Sequence, residues 1–65
     1  MDYKKNLERM FVRIRCESYF DGRYYVVGNT ETELRLLSIW EITEEKAWEE
    51  AWKTVSEEIL NKLEN

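Results

Sequence analysis

Four groups of residues in this chain have types and spacings that could do chemistry. They are Cys16, the glutamate pairs of the last third, the tryptophans Trp48 and Trp52, and the arginines and aromatics between Phe11 and Val26. A cysteine nucleophile needs a neighbouring base, usually histidine. The chain has no histidine. The plainer account of Cys16 is a small apolar side chain in the middle of a strand.

Glu44/Glu45, Glu49/Glu50 and Glu57/Glu58 could be read as acid–base pairs. Neighbours on a helix point roughly 100° apart, so none of these pairs converges on one site. Glu49 with Lys53, and Glu58 with Lys62, have the i,i+4 order that supports an exposed helix. A solvated face is the plain reading. The sharper one is an acidic face of Glu45, Glu49, Glu50, Glu57 and Glu58 that meets a basic protein surface or imitates nucleic-acid phosphates. Zinc favours Cys and His, so no metal centre is expected. No motif calls for a cofactor, and a non-enzymatic protein is expected.

The arginines and aromatics depend on the elements that carry them. Asp21-Gly22 lies between two runs rich in β-branched and aromatic residues, which suits a two-residue hairpin turn. That loop sets Phe20 against Arg23, Tyr19 against Tyr24 and Cys16 against Val27. Alternation then puts Val12, Ile14, Cys16, Tyr25 and Val27 on one face. Phe11, Arg13, Arg15, Glu17, Tyr19, Tyr24 and Val26 fall on the other. Gly28-Asn29-Thr30 reads as the next turn. Residues 33–42 read as a third strand, with Leu34, Leu36, Trp40 and Ile42 pointing one way and Arg35, Leu37, Ile39 and Glu41 the other.

Thr43 suits a helix N-cap, with Glu44 and Glu45 at the positive helix end. Trp48, Ala51, Trp52, Val55, Ile59 and Leu63 then recur with helical spacing, which predicts a helix over 44–63. Residues 3–9 could add a turn of helix before the first strand. The expected fold is α+β: a three-stranded antiparallel β-meander followed by one C-terminal amphipathic helix packed on one face, in the order β-β-β-α. The whole chain forms one domain.

A single helix covers only one face of such a sheet. The other face then exposes Phe11, Arg13, Arg15, Tyr19, Tyr24 and Val26, with Leu37 or Trp40 from the third strand. Apolar patches of this kind mark contact surfaces. Two sheets could pair face to face in a homodimer, or an unpaired edge strand could pair with its mate. Alternatively a single-stranded nucleic acid could stack on Tyr19 and Tyr24 while Arg13 and Arg15 hold phosphates, or a protein partner or the N-terminal segment could cover the face.

Size sharpens the case for self-association. A chain of 65 residues buries a marginal core, and small domains gain margin from disulfides, metals or oligomers. One cysteine permits no internal disulfide. Residues 1–42 carry seven acids and seven bases, and residues 43–65 carry seven acids and three bases, so the net charge of −4 lies wholly in the last third. That balance disfavours bulk attraction to nucleic acid or anionic membrane. No apolar run approaches the ~20 residues of a membrane span, and the N-terminus lacks the apolar core of a signal peptide. A reduced, cytoplasmic setting is expected. Size and acidity suit a small inhibitor or regulator of phage or mobile-element type.

Overall fold

The computed structural model describes residues 2–64, without the side chain of Glu64. Its elements are α1 (Tyr3–Glu8), β1 (Arg13–Ser18), β2 (Tyr24–Asn29), β3 (Leu34–Glu41) and α2 (Glu44–Glu64). The strands form an antiparallel meander of order β1-β2-β3. Both helices lie on one side of it. The α+β architecture with a C-terminal helix on the sheet is therefore present, preceded by a short first helix.

Local chemistry accounts for the ends of these elements. The Asp2 carboxylate accepts from the Lys5 N–H at 3.1 Å and caps α1. The Thr43 hydroxyl accepts from the Lys46 N–H at 3.1 Å and caps α2, as the sequence suggests. Between β2 and β3 the Thr30 hydroxyl accepts from the N–H groups of Thr32 and Glu33. That turn spans residues 30–33. Gly28 and Asn29 are not turn residues, contrary to expectation; both lie in β2.

The first hairpin also differs from its sequence reading. The Tyr19 N–H donates to the Arg23 carbonyl at 2.7 Å, and the Gly22 N–H donates to the Tyr19 carbonyl at 3.1 Å. The loop is therefore the three residues Phe20, Asp21 and Gly22, with Gly22 at φ 88°. A three-residue loop of this kind places a residue with positive φ at its third position. The pairing becomes Ser18 with Tyr24, Cys16 with Val26 and Ile14 with Gly28. This is one residue away from the two-residue register, and a one-residue slip exchanges the faces of a whole strand.

The core forms between the sheet and α2. Leu7, Val26, Leu37, Ala47, Trp48, Ala51 and Val55 are buried in one cluster, with Tyr3, Phe11, Ile14, Cys16, Tyr24 and Trp52 packed against it. Ala47 and Ala51 have no exposed surface, which lets α2 lie close to the strands. The Ser38 hydroxyl donates to the Ala47 carbonyl at 2.9 Å and ties β3 to the start of α2. Pairing between β2 and β3 shifts register at two places. One of them lets the neighbours Leu37 and Ser38 both be buried, where strict alternation allows one. Val12, a core residue by alternation, is 73% exposed instead. At the far end of α2, Ile59 and Leu63 leave the buried stripe and are exposed.

Candidate contact surface

The register determines which side chains face away from the helices. From β1 these are Arg13, Arg15 and Glu17, followed by Tyr19 at the strand's end. From β2 they are Tyr25 and Val27, directly across from Glu17 and Arg15. From β3 Leu36 stands opposite Val27, and Leu34 opposite Asn29. Trp40 completes the surface, its ring centroid 5.3 Å from that of Tyr19.

Three of the expected surface residues are elsewhere. Tyr24 and Val26 face the helices, and Val26 has no exposed surface. Phe11 packs against the core, its ring lying on Gly28. The cause is the longer hairpin loop, which turns Tyr24 and Val26 inward and Tyr25 and Val27 outward. Leu37, another candidate for this face, is also in the core. Arg13, Arg15 and Tyr19 stay on the open face, as does Trp40. The sequence reading missed Tyr25, Val27 and Arg23. Their types gave signal enough, but their face depended on one loop residue.

The aromatic end of the surface is ordered by contact. The Tyr19 and Tyr25 rings are 4.7 Å apart, and the Arg23 guanidinium lies 5.8 Å from the Trp40 ring centroid. Tilted rings and a guanidinium over indole are both favourable arrangements. The Tyr25 hydroxyl donates to Glu17 at 2.5 Å, and the Arg15 Nε donates to the other carboxylate oxygen at 2.7 Å. Those two bonds hold the Glu17 carboxyl below the usual carboxylate range, the tyrosine first and the arginine second. The Tyr25 hydroxyl is raised in turn by the same carboxylate. At the other end Asn29, across from Arg13, has a buried side-chain oxygen with no hydrogen-bond partner among the described residues.

The middle of the surface is apolar. Val27 is only 5% exposed although it lies on the side away from the helices, so its own face neighbours shield it. Leu34, Leu36 and Trp40 are 61%, 53% and 53% exposed.

The acidic side chains of α2 are largely engaged. Lys53 approaches Glu50 at 3.0 Å and Glu49 at 3.8 Å, and Lys46 approaches Glu49 at 3.4 Å. Glu58 pairs with Arg35 of β3, which lowers its carboxyl. Glu45 and Glu57 are exposed. The five acids thus do not form one uncompensated patch. Cys16 is half-buried on the helix side, and burial raises its thiol. Among the described residues, no group of three or more His, Cys, Asp or Glu could hold a metal ion. No described helix is long and apolar enough to cross a membrane. No family model, curated protein or solved structure matches the chain.

Proposed function

We propose that the protein is a non-enzymatic interaction module, dimeric in solution, that presents its open sheet face to a protein partner as a small acidic inhibitor or regulator. The observation that carries this reading is the uncovered face itself, with Leu34, Leu36 and Trp40 more than half exposed beside Tyr19 and Tyr25. Aromatic and arginine side chains are the types that anchor protein contacts. The marginal size of the core supports the dimer.

Two measurements test the reading. Light scattering should give about twice the 8.0 kDa chain mass. Wild type and the double variant Leu36→Asp/Trp40→Ala, both checked for folding by circular dichroism, should then be compared as bait in lysate from native host cells. A partner retained by wild type and lost by the variant supports the face. Identical captures by the two proteins would overturn it.

A second reading has its own observation: the rings of Tyr19, Tyr25 and Trp40 share the open face with the guanidinium groups of Arg13, Arg15 and Arg23. Bases of a single strand stack on such platforms while arginines hold phosphates. Quenching of tryptophan fluorescence by oligothymidylate, weakening steeply with salt, would support it. Unchanged fluorescence at low salt would dismiss it.

A further inference from the structure

We infer that the protein dimerises by antiparallel pairing of two β1 edges about a two-fold axis at Cys16. The inference rests on the dimeric reading above and assigns the surface that makes the dimer. It leaves the open face available to a different partner.

The sheet has two edges, β1 and β3. Register shifts interrupt the pairing of β3, and such bulges are a means of blunting an edge. The pairing of β1 with β2 runs without a shift from Arg13 to Ser18. Among the described residues nothing but β2 pairs with β1, so its outer backbone groups form a regular, unpaired row.

The alternation of an antiparallel ladder identifies that row. Tyr19 bonds to Arg23 of the hairpin, and Glu17, Arg15 and Arg13 keep the same parity in the register. The N–H and C=O groups of Ile14, Cys16 and Ser18 therefore point to the free edge. A second β1 must bond to these even-numbered residues, which leaves only registers two residues apart.

Charge selects one of them. Centring the axis on Cys16 pairs Ile14 with the mate's Ser18 and uses the edge groups of all three even-numbered residues. It also sets Arg15 opposite the mate's Glu17, twice by symmetry, and Arg13 opposite the mate's Tyr19. Centring on Arg15 also makes two opposite-charge pairs, Arg13 with the mate's Glu17, but sets Arg15 against its own copy at the axis. Centring on Glu17 sets two carboxylates against each other. Opposite charges across neighbouring strands are favourable and like charges are not. Of the three, the Cys16-centred register alone makes opposite-charge pairs with no like charges opposed. The axis stands perpendicular to the sheet, so the product is six strands with the helices of both copies on one side. The two aromatic surfaces then share the other side.

Charge reversal reads this out. Arg15→Glu and Glu17→Arg, each confirmed as folded by circular dichroism, should each dimerise about tenfold more weakly than wild type. An equimolar mixture of the two should recover the dimer. The glutamate introduced in one chain then meets the arginine introduced in the other, and the native Glu17 of the first meets the native Arg15 of the second. Sedimentation velocity across the micromolar range measures all three samples. A mixture as dissociated as its components would overturn the register. Single variants as dimeric as wild type would move the dimer to another surface while leaving the dimeric reading intact. A monomeric wild type would overturn both. If a reversal unfolds the chain, amide exchange on wild type decides: Ile14, Cys16 and Ser18 should be protected in concentrated protein and exchange freely on dilution. Equal exchange at both concentrations would refute the pairing.

Discussion

The ring of Phe11 lies so close on Gly28 that a Cβ at position 28 would stand 2.9 Å from its Cδ1. The contact joins the segment before β1 to the middle strand and closes one end of the core. An aromatic ring cannot fold away as the tip of a lysine can. Gly28→Ala should therefore push Phe11 outward and cost about 1–3 kcal/mol, as overpacking does. Urea unfolding monitored by circular dichroism measures this. An unchanged midpoint would show that the ring shifts freely.

The two core-side tryptophans should differ. Trp48 is 7% exposed and belongs to the buried cluster, while Trp52 is half-buried at its border. Trp48→Ala should cost about 3–5 kcal/mol. Against roughly 5 kcal/mol of total stability for a small domain, that leaves the chain largely unfolded. Trp52→Ala should cost less and leave a measurable transition. Thermal melts of the two variants give the comparison, and the reverse order would contradict the burial of the two rings.

Gly22 has open space around it, with nothing within 4 Å of a Cβ, yet its φ is 88°. The expected penalty of Gly22→Ala is therefore one of backbone strain alone, about 1 kcal/mol. Gly22→Asn should recover part of it, since asparagine tolerates positive φ. Equal stability of alanine and asparagine at this position would argue against the three-residue loop.

The Glu17 carboxyl gives the fold a pH dependence of known sign. Its folded value is depressed, so its contribution is present above the unfolded carboxylate range and is lost as pH falls through the folded value. Tyr25 behaves oppositely. Its hydroxyl is raised, so its contribution is present below the unfolded tyrosine range and is lost as pH rises through the folded value. Tyr25→Phe removes the largest cause of the Glu17 shift. Carbon-detected NMR titration of Glu17 should then move its midpoint upward. A midpoint that stays put would mean that Arg15 alone holds the charge.

Much of this architecture is legible in the residues. Thr43 caps the helix that the Trp48–Val55 spacing announces, and Asp21-Gly22 marks the hairpin between two β-rich runs. The open face follows from the sequence because one helix cannot cover two sides. Its membership is harder to read, and the reason is specific. Tyr24-Tyr25 and Val26-Val27 are doublets, so a one-residue slip exchanges a tyrosine for a tyrosine and a valine for a valine. No hydrophobic pattern separates the two registers. Leu36-Leu37 repeats the ambiguity on β3, and a bulge resolves it by burying Leu37 with Ser38. Gly28 misleads in another way: a glycine after a valine run reads as a turn, but in this fold it makes room for a ring.

The residues alone settle the order of the three strands and the long helix after them, the amphipathic stripe of α2 and the absence of a histidine-based catalytic group, and leave the first helix open. Those follow from local periodicity, capping and residue type, which need no distant contact. Which tyrosine and which valine face the helices is settled by the three-dimensional packing. That packing also decides that Arg35 meets Glu58 and that Phe11 closes the core. These depend on a single residue of loop length and on the packing of Phe11 against Gly28, and side-chain packing distinguishes registers that a doubled sequence leaves equal.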